Sequence, residues 1–388
     1  MPGAALVAPR ASLCAALAAL ALGLGGCAAT TNSAVNVSSG RLDIYASQPP
    51  GDTGGQTATD VLDAEQLALH QLGSTVGKFT LRLIPAHGKE LSDNARTAIQ
   101  DQKAIAYLGE IEPGTSQISV EITNELGLLE VSPTDTAVYL TQPTPAVSGA
   151  PGTYYPSNST YHQTFARVVP NAAQEAKAVV AEMQSLHLSK LYVSSDGQPY
   201  GASIADDVSK DAPGSGLTIL PAASASSADA VFYGSNSTTA ATTAVDKYAA
   251  ASPSAKLFVP SALYDDSFAA GLSAGAQKNL FVSSPGFAPS ALTKAGQQFV
   301  TSFRSTYGHQ PVPEAIFGYE AMSALLAVLK EAGKEAGNRA TVVSDFRTLK
   351  DPADSVVGPF SITGGDTSLA SFIFASPKAG KLVPRSQG

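Results

Sequence analysis

The sequence predicts an α/β protein of two doubly wound lobes, each a parallel sheet with helices on both faces. Three observations lead there. The chain has 388 residues, enough for two domains. Short apolar runs of strand length alternate with stretches of helical period along most of it. It is 44% hydrophobic and only 14% charged, a globular composition whose polar surface comes from Ser, Thr, Gln and Asn. The net charge of −8 and the lack of basic runs argue against nucleic acid as a partner.

The N-terminus reads as a targeting segment. Met1–Arg10 carries one cation, and Ala11–Leu24 is almost wholly apolar over the length of a signal h-region, too short for a mature span. Leu24-Gly25-Gly26-Cys27 resembles a bacterial lipobox, which implies cleavage before Cys27 and lipidation of its thiol. Cys14 leaves with the peptide, so the mature domain has no disulfide. Residues 28–40, small and polar, read as a flexible tether.

Leu42–Ala46 is the first strand, Ser47–Thr59 a Gly/Pro/Thr loop and Asp60–Leu72 an amphipathic helix. Phe79–Pro85 is a strand, and a helix runs from Ser92 to about Lys103. Ala104–Leu108 is a fully apolar strand ending at Gly109, with a loop over Glu110–Ser116. Gln117–Leu126 places Ile118, Ile122 and Leu126 on one helical stripe, and Gly127 closes it. Leu128–Val131 is the next strand, and Ser132–Thr136 a polar loop. Parallel strands joined by a helix bring both loops to the carboxyl edge of the sheet, where α/β proteins bind ligands. Free N–H groups at the start of the 117–126 helix, with the Thr115 and Ser116 hydroxyls, form a candidate carboxylate cradle.

Val138–Tyr161 carries Pro143, Pro145, Pro151 and Pro156 without helical period, the mark of a long covering loop. The βα rhythm then resumes. Strands fall at Lys190–Ser194, Leu217–Leu220, Ala230–Tyr233, Lys256–Val259 and Leu280–Val282. Helices fall at Ala172–Leu186, Ala202–Lys210, Thr239–Ala250 and Ser267–Ala276, with Gly197–Gly201 a loop. Ser290–Tyr307 and Pro313–Lys330 are long helices, Ala340–Leu349 a shorter one, and a hairpin around Ser376–Gly380 ends the chain.

Several stretches together resemble the type I periplasmic binding proteins of the leucine/isoleucine/valine-binding branch. Gly127, Leu128, Val131, Ser132, Pro133 and Thr136 follow that family's first-lobe strand, although Glu130 stands at a hydrophobic position and Leu128-Leu129 replaces the usual Val/Ile-Pro. Phe165-Ala166-Arg167-Val168-Val169-Pro170 is similar to its first crossing between lobes. Tyr307-Gly308-His309-Gln310-Pro311 and Gly358–Asp366 resemble two later signatures. The resemblance implies two lobes joined by three crossovers near 165–170, 283–288 and 360–368. Lobe 1 would take 41–166 plus 287–360, and lobe 2 would take 167–286 plus 361–388, after a signal peptide over 1–27. It further implies an extracytoplasmic lipoprotein held to the membrane by Cys27. That protein captures a small polar or carboxylate ligand, without cofactor, for an ABC permease of the branched-chain amino-acid type. A sensor lipoprotein on the same fold stays open as an alternative.

No catalytic motif stands out: the sequence has no G-x-S-x-G elbow, no phosphate-binding G-x-x-x-x-G-K-[ST] loop and no H-E-x-x-H, and its five His have no metal-ligand spacing. By the resemblance, Gly114, Thr115 and Ser116 stand at the ligand's carboxylate. Thr134 and Thr136 form the next contact loop, and Tyr200 and Tyr264 face the ligand from lobe 2. Two acids that would hold an α-ammonium group are replaced by Ala172 and Ser261. Glu314 and Asp135 are the candidate replacements. An unpaired buried ammonium is costly, so the expectation is a monocarboxylate, an amide or a polyhydroxy compound rather than an ordinary amino acid.

Overall fold

The computed structural model describes residues 35–51 and 54–385. The signal segment, Cys27 and most of the tether lie outside the described residues. Among the described residues, no helix is long and apolar enough to cross a membrane.

The first sheet takes its strands from β1 (Arg41–Ser47), β2 (Thr75–Val76), β3 (Phe79–Ala86), β4 (Ala104–Leu108), β5 (Leu129–Ser132) and β6 (Phe165–Arg167). Its order is β2-β3-β1-β4-β5-β6, and every pairing is parallel except β2 with β3. Helices α1 (Gly55–Leu72), α2 (Leu91–Gln100) and α3 (Val120–Glu125) connect these strands, and the short α4 (Asn158–Tyr161) precedes β6. After β6 the chain enters the second sheet through α5 (Ala172–Ser185), β7 (Lys190–Ser195), α6 (Pro199–Asp211), β8 (Thr218–Ile219), β9 (Ala230–Gly234), α7 (Thr238–Ala251), β10 (Lys256–Val259), α8 (Asp266–Gly271), α9 (Ala274–Asn279) and β11 (Leu280–Pro285). It returns to the first lobe with α10 (Lys294–Tyr307), α11 (Ala315–Ala332) and α12 (Arg339–Arg347). It crosses again through the small hairpin β12 (Ile362–Thr363) and β13 (Asp366–Thr367), and ends in β14 (Phe372–Lys378) and β15 (Lys381–Pro384). The second sheet runs β15-β14-β11-β10-β9-β7-β8, parallel from β8 to β11 and antiparallel at β14 and β15. This is the two-lobed α/β architecture with three crossovers that the sequence predicts.

Each sheet has its own core. Around the first pack Leu42, Ile44, Ile105, Leu129 and Val131 with the apolar faces of α1, α10, α11 and α12. Helix α11 is buried on nearly every side, as a largely apolar run requires, with Glu320 buried among its apolar residues. It approaches α1 so closely that a Cβ on Gly318 would stand 2.5 Å from the Val61 carbonyl oxygen. Around the second sheet Val231, Leu257, Val259 and Val282 pack with α7, α8 and α9.

Four local expectations are corrected. The helix expected over 117–126 is α over only Val120–Glu125, and its apolar stripe is split: Ile122 packs on the core while Ile118 and Leu126 are 44% and 38% exposed. The face turned inward is Ser119, Val120, Thr123 and Asn124, because Ser119 and Thr123 donate to the buried Glu130 carboxylate. The 138–161 segment is ordered rather than structureless. Tyr139, Leu140, Tyr154 and Tyr155 pack with Tyr200 and Ile204 of α6, and the Tyr155 hydroxyl donates to the Leu140 carbonyl at 2.6 Å. Pro199 opens α6 at its first turn, so Tyr200 and Gly201 are helical, not loop. Finally, the end of the expected tether is fixed. Val37 is buried in the first core and its N–H donates to the Gly337 carbonyl at 2.7 Å.

Candidate functional site

In doubly wound sheets ligands collect outside the carboxyl ends of the strands, where strand order reverses. In the first sheet that reversal lies at β1, with β3 on one side and β4 on the other. In the second it lies at β7, between β8 and β9. The loops after β1, β4 and β5 of the first sheet and after β9 and β10 of the second enclose a cavity of about 430 Å3. The first lobe contributes Gly54, Thr57, Glu112, Thr115 and Thr134. The second contributes Asn236, Ser261, Tyr264 and Asp265, and Glu314 comes from the segment before α11. The two sides also touch directly: the Asn236 amide donates to the Pro113 carbonyl at 3.0 Å, and the Thr136 and Tyr200 hydroxyls are 3.1 Å apart.

Of the residues singled out in the sequence, Thr115, Thr134, Tyr264 and Glu314 line the cavity. Gly114, Ser116, Thr136 and Tyr200 are buried, and Gly114, Thr136 and Tyr200 make contacts between the lobes. Gly114 adopts a φ of +87°, and a Cβ there would stand 3.0 Å from the Asn236 amide and 3.1 Å from the Tyr139 hydroxyl. A side chain at this position would be strained by the positive φ and would press on residues of both lobes.

The candidate carboxylate cradle is already filled from within the chain. Gly114 N–H donates to Asp135 Oδ1 at 2.7 Å, Ser116 N–H to Asp135 Oδ2 at 2.8 Å, and Ala137 N–H to Oδ1 at 2.9 Å. The Thr115 hydroxyl is spent on the Glu112 carbonyl, and the Ser116 hydroxyl accepts from Glu110 N–H. Asp135 thus occupies the donors of this loop that were expected to meet a ligand carboxylate.

Residues 86–374 match the family model described as periplasmic binding protein. The chain belongs to that family. Among curated proteins none matches it in sequence. Solved structures share the fold. A leucine binding protein from Thermotoga maritima superposes with a TM-score of 0.69 at 18% identity, over 89% of this chain and 98% of that one. An ABC transporter substrate-binding protein from Desulfitobacterium hafniense in complex with Leu has a TM-score of 0.69 at 19% identity, over 89% and 100%. A solute binding protein from R. palustris in complex with benzoate has a TM-score of 0.65 at 20% identity, over 89% and 95%.

Within this periplasmic binding protein, the acid positions differ from what the sequence suggested. Ala172 and Ser261 carry no acid, but Glu175, one turn after Ala172 on α5, reaches Ser261. Its carboxylate accepts from Ser261 N–H at 2.6 Å, from the Ser261 hydroxyl at 2.9 Å and from the Ser283 hydroxyl at 2.6 Å. The missed signal was periodicity: three residues along a helix returns to the same face. Glu314, only 6% exposed, accepts from the Ser284 hydroxyl at 2.5 Å through Oε1, while Oε2 has no hydrogen-bond partner.

Burial dominates the electrostatics of these acids. Removal from water pushes Glu314 up to about 7, against the opposing bond from Ser284. Burial does the same to Glu110 and Glu320, each up to about 7. It also raises Glu65, Glu130 and Glu175. A carboxyl whose folded pKa exceeds its unfolded value binds more protons in the native state, so stability falls as pH climbs from the ordinary carboxyl range through about 7. His309, raised by its bond to Asp60, adds stability that is also lost on the way up. The melting temperature is therefore expected to be higher near pH 5.5 than near pH 8.5, by roughly several degrees. Thermal unfolding across that range checks it, and a flat or rising profile overturns it.

Proposed function

We propose that this protein is an extracytoplasmic solute-binding lipoprotein whose two lobes close on a small polar ligand and present it to an ABC permease of the branched-chain amino-acid type. The observation that carries the reading is the cavity between the two sheet edges, lined from both lobes and bridged by Asn236 and Tyr200. The three crossings, near 165–170, 283–288 and 360–368, act as the hinge. Arg167 ties the first to the third: its Nε lies 3.0 Å from Asp366 Oδ1. The lobes carry out no covalent chemistry. Ligand enters an open form and its contacts with both edges favour the closed one.

Small-angle scattering tests the clamp. Bound ligand is expected to reduce the radius of gyration, and tight binding without compaction overturns the reading. The lipid anchor rests on Leu24-Gly25-Gly26-Cys27. Cys27→Ser is expected to release the protein from membranes or stall its processing. A substituted protein still membrane-bound and cut at the same place rules the anchor out.

A further inference from the structure

We infer that the cavity takes a small organic cation, an amine that carries no carboxylate. This rests on the solute-binding reading above and names its ligand class. The cavity wall bears three acids, Glu112, Asp265 and Glu314, and among the described residues no lysine, arginine or histidine lines it. Two of these acids have partial internal partners. Glu112 Oε1 accepts from Gly54 N–H at 3.1 Å, and Asp265 caps α8 through Phe268 N–H at 3.0 Å. Glu314 is different. Its residue lines the cavity, and its Oε2 is buried without a hydrogen-bond partner. A buried carboxylate oxygen with no donor is an acceptor held open, and an ammonium group supplies both the donor and the counter-charge.

The same wall offers little to an anion. The N–H groups of Gly114 and Ser116 are taken by Asp135. The hydroxyls of Thr115, Thr134 and Ser261 donate to the Glu112 carbonyl, the Ile111 carbonyl and Glu175. A ligand carboxylate would therefore meet three acids and no cationic side chain, whereas an ammonium group meets opposite charge, with the Thr57, Thr238 and Tyr264 hydroxyls able to accept from it. Glu314 is faced by the Ser284 hydroxyl and lies in the field of Glu175 on α5, Asp60 on α1 and the nearby Tyr264. Of these, the two carboxylates and the burial itself all oppose its ionisation, and a bound cation relieves that opposition. Below about pH 7 the amine must displace a proton from Glu314. Its affinity then rises about tenfold per pH unit and levels off above.

The test is calorimetry on the full-length purified protein with 3-methylbutylamine, 1,4-diaminobutane, leucine and 4-methylpentanoate. The first, third and fourth share one apolar body and differ in charge. At least one amine is expected to bind about tenfold or more tighter than leucine and 4-methylpentanoate. Glu314→Gln, which keeps an acceptor for Ser284, is expected to lower amine affinity at least about tenfold and to flatten its pH profile. The variant's melting temperature near pH 8 is expected to equal or exceed the parent's, because a buried charge is gone. Tighter binding of the carboxylate or of leucine, no amine binding up to about 10 mM, or unchanged amine affinity in Glu314→Gln overturns the proposal. Scattering separates the two readings. Carboxylate binding with compaction leaves the clamp standing and removes the cation. Amine binding without compaction does the reverse.

Discussion

Arg167→Ala is expected to destabilise the protein by about 3–5 kcal/mol, the loss associated with breaking a buried charge pair from one side. Arg167 is fully buried. Its guanidinium spans four partners: Asp366 at 3.0 Å, the Asp135 carbonyl at 2.8 Å, the Ala137 carbonyl at 2.8 Å and the Thr141 hydroxyl at 3.3 Å. Alanine leaves the Asp135 carbonyl without its donor in the interior and the Ala137 carbonyl with only a long bond from Leu140 N–H at 3.5 Å. It leaves Asp366 to the Thr141 hydroxyl and the Gln142 amide, which already bind it at 2.9 and 2.7 Å. Lysine should recover less than half of the loss. A single ammonium cannot reproduce the planar fork that meets two carbonyls and a carboxylate together. Denaturant unfolding with the midpoint and slope both recorded measures it. A loss below about 1 kcal/mol in Arg167→Ala would show that the pair adds little beyond a surface contact.

Asp135→Ala should be of similar size, about 3–5 kcal/mol, for a different reason. Three N–H groups, on Gly114, Ser116 and Ala137, lose their acceptor at once. Each hydrogen bond to a charged group contributes roughly 1.5–3 kcal/mol, and buried donors left bare add their own penalty. Asp135→Asn keeps one acceptor oxygen and turns an amide N–H toward the remaining donors, so it should lose about half as much. The emptied loop also becomes a true anion cradle. Acetate is therefore expected to raise the melting temperature of Asp135→Ala and not that of the parent. Equal stabilisation of both by acetate would mean that the parent loop already accepts an external carboxylate, against the geometry described for it.

These two residues mark where the sequence was legible and where it was not. Arg167 and Asp366 fall in two separate motifs, Phe165–Pro170 and Gly358–Asp366, which the sequence showed one at a time; their pairing came only with the structure. Asp135 was visible as an acid beside Thr136, but its target lies about twenty residues away on another loop. Nothing local told whether it faced the ligand or the Gly114 backbone.

The sequence by itself determined the lobes. Ala104–Leu108 is buried at every position, as an apolar pentapeptide in a parallel sheet must be, and α5 begins at the Asn171–Gln174 capping box. Such elements depend on short-range periodicity and caps, so they can be read one at a time. Tertiary structure alone decided the site. Ile118 and Leu126 face solvent because Glu130 draws Ser119 and Thr123 inward. Glu175 reaches Ser261 because α5 and the loop after β10 meet at one edge. The cradle is full because Asp135 arrived first. A hydrogen-bond donor takes whichever acceptor the packed chain brings within about 3 Å, and that competition among distant loops has no period in the sequence.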